Sequence, residues 1–89
     1  MATSYIPVDN APVREISALS ELIENSDRII PFRTTTNISI GSTGITLEAY
    51  ARGVYVGGTT GMLMAVGYGA AFYTAFYTAN AWAYAKKFT

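Results

Sequence analysis

Eighty-nine residues allow one small domain at most. Only 13% of them are charged and the formal net charge is zero, which argues against an electrostatic binder of nucleic acid. With no cysteine and no histidine, the chain has no disulfides, no thiolate or usual zinc, haem or iron–sulfur ligation, and no histidine for acid–base work. No cofactor and no metal are therefore expected.

Residues 1–11 read as an extended arm, because Pro7 and Pro12 hold their neighbours in β or polyproline geometry. Tyr5 and Ile6 could pin that arm to a partner. Over 12–27 the spacing predicts an amphipathic helix: Pro12 suits its first turn, and Val13, Ile16, Leu19, Leu22 and Ile23 recur on one face. Arg14, Ser17, Glu21 and Glu24 take the other face, and Asn25-Ser26-Asp27 ends the element. The polar face is acidic, which favours docking on protein over an anionic membrane surface.

Residues 28–44 read as a loop or short hairpin. Arg28 and Arg33 clamp an apolar patch, and Pro31 stops any helix there. Thr34 to Ile40 is β-rich, and Gly41-Ser42-Thr43-Gly44 is turn chemistry that suits a hairpin into Ile45-Thr46-Leu47. The preferred reading is instead a helix capped by Ser42 or Thr43 that runs over 45–86. Asn37-Ile38-Ser39 matches the glycosylation pattern, without a secretory signal before it, and is expected to stay unmodified.

The centre of the chain is Gly53 to Ala85, thirty-three residues without a charge. About 20 apolar residues cross a bilayer as a helix, so a membrane span over about 55–82 is predicted. Tyr55 at one end and Trp82 and Tyr84 at the other would anchor at the interfaces, with Lys86 and Lys87 in the headgroups and 87–89 as a tail. Gly53, Gly57, Gly61, Ala65 and Gly69 lie four apart and would form a small-residue ridge for helix–helix packing. Phe72/Phe76 and Tyr73/Tyr77 would pack on partner helices or lipid. Asn80 would lie near an interface.

The fold class expected is thus all-α: one transmembrane helix, a short amphipathic helix and an arm. No nucleophile stands with a base, so no catalytic or cofactor-binding residue is assigned and no enzyme is expected. The function expected is that of an accessory subunit of a multi-subunit membrane complex. A respiratory assembly of the mitochondrial inner membrane is favoured, because no secretory signal is seen and the tail is only mildly basic. Its partners would be other transmembrane subunits and lipids, not nucleic acid, with self-association through the small-residue face. An acidic start, an apolar middle and the ending Lys86-Lys87-Phe88-Thr89 resemble the layout of filamentous-phage major coat proteins. That resemblance covers four residues and the layout, and the loop at 31–46 departs from it. It implies, as the alternative, a helical filament or coat subunit.

Overall fold

The uncharged run from Gly53 to Ala85 is not a helix. Its own turn residues cut it into four antiparallel strands. The computed structural model describes residues 13–89, so the arm expected over 1–11 lies outside the described residues. The strands are β1 (Arg14–Ile16), β2 (Arg28–Thr34), β3 (Ile38–Ser39), β4 (Thr46–Leu47), β5 (Arg52–Gly57), β6 (Gly61–Val66), β7 (Phe72–Thr78) and β8 (Ala81–Phe88), with one 3-10 turn at Leu19–Leu22. No helix among the described residues is long and apolar enough to cross a membrane. The all-α class, the span over 55–82 and the single-pass mitochondrial membrane placement are overturned by this. The same finding removes the membrane-complex subunit and the helical coat protein, since both rested on the long helix.

The physical reason lies in the punctuation. Gly57-Gly58-Thr59-Thr60 turns β5 into β6. Gly67 to Ala71 turns β6 into β7, closed by the Gly67 N–H on the Ala71 carbonyl at 2.7 Å, with Gly69 and Ala70 at φ 91° and 67°. Ala79 and Asn80 both have positive φ (52° and 63°), the geometry of a two-residue hairpin whose twist matches its strands. Between the turns lie aromatic and β-branched residues, which favour extended chain.

Six strands form one sheet in the order β1-β2-β5-β6-β7-β8, and β3-β4 is a separate two-stranded hairpin. β1 runs parallel to β2, and every other neighbour is antiparallel. β1 pairs only with Phe32–Thr34, so Pro31 sits where β2 has an open edge and the missing N–H is tolerated. One face of the sheet builds the core: Ile30, Phe32, Thr34, Tyr55, Leu63, Ala65, Tyr73 and Ala75 are all buried. Leu19 and Leu22 of the 3-10 turn and Ile38, Ile40 and Leu47 of the hairpin cover it.

The helix expected over 12–27 is replaced by β1 and the 3-10 turn. Ile16, Leu19 and Leu22 are buried as the apolar spacing implied, but through extended chain and one tight turn. A helix that short is marginal in water, whereas β1 gains a ladder on β2. The Glu21 carboxylate fixes the turn by accepting from the backbone N–H groups of Ser17 (2.8 Å) and Ala18 (2.9 Å). Those bonds, Ser17 first, hold the Glu21 carboxyl below its ordinary pKa. The 28–44 stretch contains β2 and β3, and the hairpin from Ile38 into Leu47 is real: Ile38 pairs with Leu47 and Ser39 with Thr46. The helical lead-in from Ile45 does not form.

Thr34 ties the hairpin return to the sheet. It is fully buried, and its hydroxyl donates to the Glu48 carbonyl at 2.7 Å while accepting from the Ala51 N–H at 3.0 Å. Its own N–H donates to the Ala51 carbonyl and its carbonyl accepts from the Tyr50 N–H, both at 3.0 Å.

Candidate docking face

The face of the sheet turned away from the core is apolar as well. Cross-strand register sorts its residues into three rows. The first runs Ile29, Val56, Met62, Phe76 and Ala83; the second Pro31, Val54, Met64, Thr74 and Lys86; the third Arg33, Arg52, Val66, Phe72 and Phe88. Ten large hydrophobic side chains are exposed among the described residues, and seven of them lie here: Ile29, Val56, Val66, Phe72, Phe76, Tyr84 and Phe88. Single exposed apolar residues need no explanation, but a contiguous sheet face of them marks a contact surface. Phe72 and Phe88 stack with ring centroids 6.0 Å apart, and Phe76 meets Tyr84 edge-on at 6.3 Å. A shallow apolar depression of about 510 Å³ opens at one end, lined by Met62, Phe76 and Tyr84.

Charged groups rim this face rather than occupy its centre. Arg33 is paired with Glu15 of β1 at 2.5 Å. Arg52 and Lys86 are in no ion pair among the described residues. Glu24 is engaged away from the face, bridging Arg14 (2.7 Å) and Arg28 (3.1 Å). The hydrogen bond from Arg14, first, keeps the Glu24 carboxyl below its ordinary pKa. Glu48 accepts from the Tyr73 hydroxyl at 3.3 Å.

The residues expected to pack helices sit elsewhere. Gly53 and Gly57 lie on β5, Gly61 and Ala65 on β6, and Gly69 in the β6–β7 turn. The first four point to the core side, and no helical ridge exists. Their small size serves the buried tyrosine: a Cβ at Gly61 would stand 2.6 Å from the Tyr55 hydroxyl. Gly53 pairs with Ala65 across the ladder. The five expected interface anchors are scattered too. Tyr55 is buried, donating to the Gly58 carbonyl at 2.6 Å. Burial pushes its phenol pKa up. Trp82 packs half-buried against Tyr77 at 5.1 Å and Tyr55 at 5.9 Å. Tyr84 and Lys86 are on the outer face, while Lys87 reaches over the Tyr73 ring at 5.7 Å.

Sequence reasoning singled out Phe72 and Phe76 as packing residues, and the structure leaves both open to a partner. It had Ile29 only as part of the patch between Arg28 and Arg33, and it passed over Val54, Val56, Met62, Met64 and Val66. The signal for them was alternation within each short run, which is hidden because both faces are apolar. No family model matches this sequence, and no curated protein or solved structure shows significant similarity to it.

Proposed function

We propose that this chain is a non-catalytic protein-docking module, a one-layer sheet that covers one face with its own chain and offers the other to a protein. The observation that carries this is the concentration of seven exposed large apolar side chains on one face. The reading is supported by the engagement of Glu15, Glu21 and Glu24 in structural contacts. The absence of histidine and cysteine from the sequence agrees with it. Zero formal charge and an apolar centre favour protein over nucleic acid as the partner.

The test separates docking residues from stabilising ones. Val66→Ser with Phe72→Ser, measured at high dilution, should leave the urea midpoint close to that of the unaltered chain. Binding of a hydrophobic dye to the folded chain should fall several-fold. The core substitution Leu63→Ala should instead cost about 2–5 kcal/mol. A double outer-face variant as unstable as Leu63→Ala would show that the face holds the fold together, and the docking reading would fail.

A further inference from the structure

We propose that the occupant of the outer face is a second copy of this chain, packed sheet on sheet about a two-fold axis along β6. This rests on the docking reading above. Three properties of the face lead to it.

The first is extent. The five long strands β2-β5-β6-β7-β8 at about 4.8 Å spacing, with about seven residues of 3.3 Å each, give a face of roughly 24 Å by 23 Å. That is roughly 550 Å² from each copy in projection before side-chain relief, about 1,100 Å² for the pair, just above the roughly 1,000 Å² that a specific interface should clear. β6 is the middle strand of those five.

The second is complementarity of size. A two-fold axis along β6 lays β5 on the partner's β7 and β2 on its β8, and keeps each row on itself. The slim Val56 then faces the large Phe76 of the partner copy, and Val54 lies on Thr74. Ile29 faces Ala83, and Met62, Met64 and Val66 meet their own copies along the axis. Methionine at the axis suits self-contact, because its unbranched chain adapts to an irregular gap.

The third is charge. The same axis sets Arg52 against Phe72 and Arg33 against Phe88, where guanidinium over a ring is attractive. Lys86 meets Pro31. An axis across the strands would instead stack Lys86 on Lys86 and Phe72 on Phe76, while thin β5 met thin β5. Association by the sheet edge is disfavoured as well. β8 carries a register irregularity opposite Thr74/Phe76 and a positive φ at Tyr84 (55°), with Lys86 and Lys87 beyond it. Bulges and lysines are how exposed edges are blunted. The β8 edge is protected against pairing and the face is not.

The experiment is sedimentation equilibrium with charge swaps. The 9.6 kDa chain should run at twice its mass. Met64→Asp, at the axis, should halve that mass without moving Trp82 emission. Val56→Lys alone and Phe76→Glu alone should each give monomer, and an equimolar mixture of the two should dimerise, because the two-fold sets position 56 of one copy on position 76 of the other and no pair within one chain can form in the mixture. Because the chain has no cysteine, Met64→Cys gives a unique thiol, which a short bismaleimide should link to its copy. Ile29→Cys, about 20 Å from its copy in this arrangement, should not link. A chain that stays monomeric while binding hydrophobic dye in a Met64-dependent way would overturn the second copy and leave the docking reading standing. A monomer that binds no dye, or that floats with anionic vesicles, would overturn both. A dimer indifferent to Met64→Asp would overturn this interface.

Discussion

Thr34→Val tests whether one hydroxyl holds the hairpin return against the sheet. Valine keeps the shape of threonine and removes only hydrogen bonding. In the fold, Thr34 is 0% exposed, and its hydroxyl serves the Glu48 carbonyl and the Ala51 N–H together. Leaving a buried backbone group without a partner costs about 1–3 kcal/mol, so the buried Ala51 N–H and the part-buried Glu48 carbonyl together cost at most about 2–6 kcal/mol. A domain of this size has a total stability of about 4–13 kcal/mol. Thr34→Ser keeps the hydroxyl and loses one buried methyl, about 1 kcal/mol. With a urea m-value of about 1–2 kcal/mol per molar, a mid-range cost of about 4 kcal/mol should lower the valine variant's midpoint by about 2–4 M, and the serine variant should lose at most about 1 M. Trp82, the one tryptophan and half-buried against Tyr55 and Tyr77, reports unfolding. Protein concentration must be held fixed, since association adds to apparent stability. A valine variant as stable as the serine variant would refute the reasoning, because packing rather than hydrogen bonding would then fix this corner.

Further outcomes follow from the same geometry. Gly61→Ala places a Cβ against the buried Tyr55 ring, 2.7 Å from its Cζ, and should cost about 1–3 kcal/mol. Gly44→Asn, at φ +84° with open space around it, should cost only a few tenths; equal urea midpoints for the two variants would contradict the packing described around Tyr55. Glu21 and Glu24 have lowered carboxyl pKa values in the fold, so the stability they give is complete above the ordinary carboxylate range and is lost as pH falls through it. The urea midpoint should therefore drop between about pH 5 and about pH 3, and Glu21→Gln should shrink that drop; an unchanged acid limb in the variant would remove Glu21 from the account. The Tyr55 phenol is raised, so its contribution is constant below the ordinary tyrosine value of about 10 and is lost as pH climbs above it. Tyr55→Phe should flatten the alkaline limb while costing about 1 kcal/mol at neutral pH through the lost bond to Gly58.

Much of the composition argument depended only on residue types. The apolar centre, the absence of thiolate and imidazole ligands, and the turn chemistry at Gly41 to Gly44 are properties of the chain in any fold. The hairpin on either side of that turn was legible only as the alternative to the preferred helix from Ile45; Ile38, Ile40 and Leu47 alternate with polar neighbours, and they are buried as alternation requires. The buried trio Ile16, Leu19 and Leu22 was legible as an apolar face, although its backbone was not.

What misled was a degeneracy of spacing. A separation of four is close to one helical turn, and it is also even, so it puts residues on one face of a strand. Gly53/Gly57, Gly61/Ala65 and Phe72/Phe76 fit a helix ridge and a strand face equally well. The period of two that would have decided the matter is erased, because core residues such as Tyr55, Leu63 and Tyr73 alternate with Val56, Met62 and Phe72 on the other face. Length was the better arbiter: the glycine pairs and Ala79-Asn80 divide the run into pieces of strand length, each too short for a stable helix.

Local residue types are enough to say which segments are apolar and where the chain must turn. Only tertiary structure decided that four of those segments lie side by side, because hydrogen bonding between strands is non-local and no single segment specifies its neighbour. The same pairing decided which half of the apolar residues is covered. Tyr55, Leu63 and Tyr73 face the 3-10 turn and the hairpin, while Val56, Met64 and Phe76 face outward for a partner, a division set by register rather than by residue type.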